Sequence, residues 1–212
     1  MKDKGVFITI EGPEGAGKST QIKLLCEYLE KKGHKCVRVR EPGGTEIGEK
    51  LREILKHHNG DEPLYPETEL LLFEASRAQL VKMLIIPSLE KGCAVVCDRF
   101  YDSTAAYQGY ARKIDLDFIN KLNAFASFGR KPDITILLDL PVEDGFLRTK
   151  TRKETLGKDD RIEAEALDFH RSVRNGFLEM AMNEPERIKI VPALGDIDNI
   201  HLQIVREVEN VL

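Results

Sequence analysis

Apolar residues along this chain gather in short, β-branched runs separated by longer stretches of helical period. Val6–Ile10, Cys36–Arg40, Ala94–Cys97, Ile134–Leu140 and Ile188–Val191 read as strands. Helical spacing predicts Lys18–Lys32, stopped by Gly33, then Glu46–Lys56, Glu67–Lys91, Asp115–Ala126, Val142–Lys150, Asp160–Met182 and Ile197–Val211. Short continuous apolar strands imply burial on both faces, as in a parallel sheet. The alternation of strand and helix predicts an α/β class: a doubly wound, five-stranded parallel sheet flanked by helices. In such sheets ligands sit beyond the carboxyl ends of the strands. The segments that begin at Glu11, Glu41 and Asp98 occupy those places.

Composition narrows the class. The 212 residues contain no Pro/Gly/Ser linker and no internal repeat, so the expectation is one domain spanning 1–212. A chain 42% apolar and 32% charged is neither disordered nor of low complexity. A formal net charge of -4 gives no basic field for a nucleic-acid partner. Apolar runs such as Ala94–Cys97 fall far short of the ~20 residues a membrane span needs. Met1–Lys4 leads into no signal-peptide stretch, so a cytoplasmic location is expected, with no membrane partner. Cys26, Cys36, Cys93 and Cys97 make no disulfide framework, and Cys93 and Cys97 lack a second pair for zinc. His57 and His58 read as a solvated helix end.

The first strand runs into Gly12-Pro13-Glu14-Gly15-Ala16-Gly17-Lys18-Ser19, followed by Thr20, which fits G-x-x-x-x-G-K-[S/T] between a strand and a helix. Glycines let successive N–H groups converge on one anion, and the helix adds its positive end. Lys18 is placed for the β/γ-phosphates of ATP and the Ser19 hydroxyl for Mg2+. The plain alternative is a Gly-rich turn without a ligand. A GTPase is disfavoured, because no D-x-x-G occurs and Asn120-Lys121-Leu122-Asn123 lacks the final acid of N-K-x-D. A small kinase suits the length. Asp98 ends the third strand, as a carboxylate near Mg2+ would, and the Arg99 fork beside it suits a second phosphate.

Three segments occur together: Gly12–Thr20, Arg40-Glu41-Pro42-Gly43-Gly44-Thr45, and Asp98-Arg99-Phe100-Tyr101-Asp102-Ser103-Thr104-Ala105-Ala106-Tyr107-Gln108-Gly109. In this combination, from about Val6 to Arg174, the chain resembles thymidylate kinase, whose members phosphorylate dTMP to dTDP on a P-loop nucleoside monophosphate kinase architecture. The resemblance implies that Phe73 stacks on thymine and Arg77 donates to a thymine carbonyl. Both lie on one helix face at i and i+4. The same pair also suits Phe73 in the core with Arg77 bound to Glu74 or Glu69. By the same resemblance Tyr107 lies against the deoxyribose, Thr104 and Gln108 lie near the base, and Glu14 meets the sugar 3′-hydroxyl. Ser103 and Arg52 are further candidates, Arg52 being equally at home on a solvated helix face. The family forms homodimers.

The stretch Arg148–Arg161 carries six cations against three acids, in an otherwise acidic chain. A solvated loop is the plain reading. A lid over ATP, about 148–161, is the functional one, and since the phosphate-loop position used by some family members for a catalytic arginine is Gly15 here, the lid must supply it. Arg152 is the first choice and Arg148 the second, with Lys150 between them. The acceptor oxygen is already anionic, so positioning and charge neutralisation by Lys18, Arg99 and the lid arginines suffice. Pro192–Asp196 is placed to border the adenine. Another nucleoside monophosphate kinase, and a nucleotide-binding protein without turnover, are the alternatives.

Overall fold

The protein is described from a computed structural model that covers residues 5–58, 61–156 and 161–212, with the side chains of 150–156 outside that description. Five strands form one parallel sheet: β1 (Phe7–Glu11), β2 (Cys36–Arg40), β3 (Ala94–Asp98), β4 (Ile134–Asp139) and β5 (Ile188–Pro192), in the order β2-β3-β1-β4-β5. The expected class and all five strands are present, each within a residue or so of its expected ends. β1 lies between β3 and β4, pairing Ile10 with Asp98 on one side and with Ile136 on the other. Chain direction therefore diverges at the carboxyl end of β1, which opens the crevice where ligands bind in such sheets.

Alternate residues of β1 enter different cores. Ile8 and Ile10 pack with Leu25 and Leu29 of α1 (Lys18–Lys31) and Ile204 and Val208 of α9 (Ile197–Glu209). Phe7 packs on the opposite face with Leu80, Val81, Ile85 and Phe100. Apolar residues on both sheet faces thus draw helices to both. Leu25 and Leu29 are fully buried, so truncating either to Ala costs about 2–5 kcal/mol.

The remaining helices are α2 (Glu46–His57), α3 (Pro66–Leu80), α4 (Ile86–Glu90), α5 (Tyr101–Thr104), α6 (Leu116–Ala126), α7 (Val142–Leu156) and α8 (Leu167–Asn183). Thr45 caps α2 through the Gly48 N–H, and Asp115 caps α6 through the Phe118 N–H. The long helix expected over Glu67–Lys91 is α3 joined to α4 through a π-helical stretch, Val81–Ile85.

Three local differences from the sequence reading bear on the site. Tyr101–Ala111 is helical, α5 leading into a π-helical stretch at Ala105–Ala111, although periodicity does not mark it. Helix α7 runs on to Leu156 rather than ending at Lys150, so much of the basic stretch is helix rather than loop. Helix α8 starts at Leu167 rather than Asp160. Residues 161–166 form a turn, with the Arg161 N–H bound to the Lys56 carbonyl and its Nε to that of Leu55. Those bonds to α2 outweigh the local helical preference. Among the described residues no helix is long and apolar enough to cross a membrane.

Candidate active site

The loop between β1 and α1 is built by close approach. Gly12 has φ 137°, and a Cβ there would stand 2.4 Å from the Leu138 carbonyl oxygen. Gly15, at φ 77°, lies against Gly145 in the first turn of α7. Only glycine meets both demands. Gly17, also left-handed, precedes Lys18, and no side chain caps α1. The N–H groups that open this helix therefore face the crevice as an anion site.

A cavity of about 400 Å³ lies at the carboxyl ends of the strands. One wall is Glu14, Gly15, Gly17, Lys18, Ser19 and Thr20, with Asp98, Arg99 and Arg148. The other carries Phe73, Arg77, Thr104, Tyr107 and Gln108, with Arg52 and Glu41 beside Pro42. Residues expected from three distant segments thus face one space. Gly12, Pro13 and Ala16 of the loop do not line it. The carbonyls of Gly12 and Pro13 instead accept from the Lys18 ammonium at 3.1 and 2.8 Å.

Charges on the first wall are tightly set. Lys18 is buried, and burial together with the nearby Arg99 charge lowers its pKa. Arg99 donates to Glu14 Oε1 at 2.5 Å and to Ser103 Oγ at 3.1 Å, and its guanidinium lies 5.3 Å from the Tyr107 ring centre. Burial opposes ionisation of Glu14, but Lys18 and Arg99 outweigh it and hold the carboxyl below its ordinary range. Arg99 itself has φ 66°, a strained conformation for a residue with a Cβ. Its N–H binds the Ile10 carbonyl, and Glu11 beneath it accepts from the Phe100 N–H and from Ser103 Oγ. Burial, reinforced by the Asp102 charge, raises Glu11 to about 7.

Ser19 Oγ donates to Asp98 Oδ2 at 3.4 Å. A hydroxyl and a carboxylate at the rim of a phosphate loop are hard oxygen donors. They fit Mg2+, which takes few protein ligands and completes its octahedron with phosphate and water.

On the second wall Arg77 is fully buried, and all five of its N–H groups are engaged. Nε and Nη2 bind Glu41 Oε2, Nη2 also binds Thr104 Oγ1, and Nη1 binds Glu74 and Asn123. The pairing expected with Glu74 is present, whereas Glu69 is not a partner. A carbonyl of a bound base must share an N–H already in use, as three-centre bonds allow. Burial raises Glu41 to about 7, against the attraction of Arg77. Tyr107 is buried with its ring beside the Arg99 guanidinium, and burial raises its pKa against the Arg99 charge. Phe73 is half-buried at the cavity wall.

Arg148 reaches back from α7 to the Gly15 carbonyl at 3.1 Å and to that of Ala193 at 3.4 Å. It therefore links the phosphate loop to the segment after β5, where adenine was expected. Lys150 and Arg152 lie on the same helix, but their side chains are outside the described residues, as are residues 157–160 of the expected lid.

Sequence reasoning assigns no site role to Glu11, Glu41, Arg112 or Asn123, and it names Glu69 and Arg161 without the bond between them. Glu41 stands inside a quoted motif and Glu11 immediately precedes another, so position alone could have raised them. For Glu69, Arg112, Arg161 and Asn123 no local signal marks these bonds, because the partners lie 22 to 106 residues away.

Comparison with known proteins bears on this geometry. A family model described as thymidylate kinase matches residues 10–204. A thymidylate kinase of Desulfosudis oleivorans is 47% identical over 209 residues, covering 97% of each chain. One from a Synechococcus strain is 50% identical over 190 residues, covering 90% of this chain and 87% of its own. The crystal structure of thymidylate kinase from Ehrlichia chaffeensis superposes with a TM-score of 0.76 at 34% identity, covering 96% of this chain and 98% of that one.

Proposed function

Given that this chain belongs to the thymidylate kinase family and is a phosphotransferase that converts dTMP to dTDP, we propose how its own residues carry out that reaction, with ATP as donor and Mg2+ as cofactor. The observation that supports this most strongly is the meeting of the phosphate loop, Asp98 and Arg99 with Phe73, Arg77, Tyr107 and Gln108 around one cavity.

ATP enters with its phosphates on the backbone N–H groups of Gly15, Gly17, Lys18, Ser19 and Thr20 and on the Lys18 ammonium, and with adenine toward Pro192–Asp196. Ser19 and Asp98 would hold Mg2+, which would supply positive charge to offset that of the phosphates. The dTMP phosphate lies on Arg99, with Arg52 at the same end. Glu14 fixes the Arg99 fork and reaches the sugar 3′-hydroxyl. Tyr107 closes the side where a 2′-hydroxyl would stand. Phe73 stacks on thymine, whose edge meets Arg77, Thr104 and Gln108.

A phosphate oxygen of dTMP then forms a bond to the γ-phosphorus of ATP, and the bond from that phosphorus to the β–γ bridging oxygen breaks, with the electron pair leaving on ADP. No proton has to be removed from the acceptor. Lys18, Arg99 and a cation of α7, Arg148 or Arg152, meet the charge spread over the transferring group. We extend the proposal to the whole chain as one kinase domain working in the cytoplasm as a homodimer. The apolar Leu71 of α3 and Phe118 and Phe125 of α6 are exposed and suit a helical dimer face.

The donor side is tested with dTMP held constant. ADP and dTDP should form with ATP and Mg2+, and chelation of divalent ions should stop the reaction. Lys18→Met should lower turnover about a thousandfold or more. Undiminished turnover in Lys18→Met, or in chelator, contradicts the assignment.

A further inference from the structure

Glu69 of α3 is buried and is not part of the reaction just described. It sits behind the base end of the cavity and gathers three donors. Gln108 Nε2 donates to its Oε1 at 2.9 Å. Arg112 donates through Nε and Nη2 at 3.1 and 3.2 Å, and Arg161 through Nη2. Burial opposes the charge of Glu69, yet the bonds from Arg112, Arg161 and Gln108 hold its pKa below the ordinary carboxylate range. An ionised carboxylate only accepts hydrogen bonds. The Gln108 amide must therefore turn its NH2 to Glu69, because the reversed amide would set two oxygens against each other. Gln108 lines the cavity with Phe73 and Thr104, and its Oε1 takes no partner among the described residues.

This fixes which pyrimidine edge can bind. Thymine and uracil carry an N–H at N3, between two carbonyls. Cytosine carries a bare acceptor there, beside an amino group. A fixed amide oxygen pairs with the first edge and opposes the second. We propose that Glu69 is a specificity-positioning residue: it locks the Gln108 amide with Oε1 toward the base, so that the pocket takes a pyrimidine with an N3–H and rejects one whose N3 is an acceptor. This rests on the placement of dTMP in the cavity given above. The π-helical stretch serves the arrangement, since it ends by setting Gln108 and Arg112 together on Glu69.

The test measures kcat/KM for dTMP and dCMP in the wild type, Glu69→Gln, Gln108→Leu and the double variant, with a thermal melt of each. A glutamine at 69 can donate or accept, so it frees Gln108 to reverse. The dTMP/dCMP ratio should fall at least about tenfold in Glu69→Gln, the cost of one unmatched buried pair. In the Gln108→Leu background the same change should leave the ratio within about twofold. A merely structural Glu69 would lower both substrates alike, and an unchanged ratio in a folded Glu69→Gln protein overturns the proposal. If Glu69→Gln does not fold, wild-type protein decides. N3-methyl-dTMP should compete with dTMP at least about tenfold more weakly than dTMP itself binds, and equal binding overturns the proposal. Absence of dTMP turnover in the wild type would overturn the placement of dTMP as well, whereas normal dTMP turnover with an unmoved ratio removes only the role of Glu69.

Discussion

Replacing Arg77 with Met keeps a long apolar stem but removes the cation from a dry site. Arg77 is 1% exposed, and Glu41 and Glu74 beside it are 4% and 7% exposed. Two carboxylates thus share one guanidinium, and each has an oxygen with no partner among the described residues. Removing one member of a buried ion pair costs about 3–5 kcal/mol, because the other charge is left stranded. Against a typical total of about 5–15 kcal/mol, that is a large fraction of the stability. In a chain of this size it corresponds to a fall in Tm on the order of 10 °C. Urea unfolding followed by circular dichroism at pH 7.5 measures it directly. The explanation is electrostatic, so it makes a second demand. Adding Glu41→Gln and Glu74→Gln to Arg77→Met should recover about half the loss or more, since no stranded charge remains. A loss below about 1 kcal/mol in Arg77→Met, or no recovery in the triple variant, would refute the reasoning.

Other outcomes follow from the same geometry. Gly12→Ala should unfold the loop or lower stability by about 3 kcal/mol or more, read by thermal melt, since its Cβ would meet the Leu138 carbonyl and the backbone is left-handed. Glu11 and Glu41, raised from 4.5 to about 7, keep their protons in the folded chain but not in the unfolded one between those values. Stability should therefore fall as pH rises from about 5 to 7 and level off above, by at most about 3 kcal/mol per carboxyl. Glu41→Gln should remove roughly half of that slope in pH-dependent melts. Arg148→Ala and Arg152→Ala should differ: the arginine that meets the transferring phosphoryl group should lose about 10³-fold or more in kcat while dTMP affinity is kept. Near-normal kcat in both variants would remove α7 from the chemistry.

What could be read from the sequence follows the range of the interactions. The phosphate loop is a local device, with its glycines, lysine and hydroxyl inside nine residues, and the structure builds it where the strand-to-helix pattern puts it. Parallel strands are short, apolar and β-branched, so their limits were legible almost to the residue. Helical spacing over Asp160–Met182 draws Arg161 into a helix, whereas in the structure Arg161 lies in a turn. Its bonds to Leu55, Lys56 and Glu69 come from elements about 90 to 106 residues earlier, and nothing local announces them. The π-helical stretch at Ala105–Ala111 escaped for a related reason: its period is not that of an α-helix, so a search at 3.6 residues does not register it. Arg77 was legible as a residue facing the base or bound to Glu74 or Glu69. Its bond to Glu41, 36 residues earlier, depends on β2 and α3 meeting at the crevice.

The central claim is that this cavity transfers a phosphoryl group to dTMP and selects it. ADP release from ATP and Mg2+ should therefore be measured against a panel of dTMP, dUMP, UMP, CMP, AMP and GMP. Release with dTMP far above every other acceptor is the predicted result. ATP binding without release on any acceptor, or equal release on all, would contradict it and leave only the phosphate loop standing.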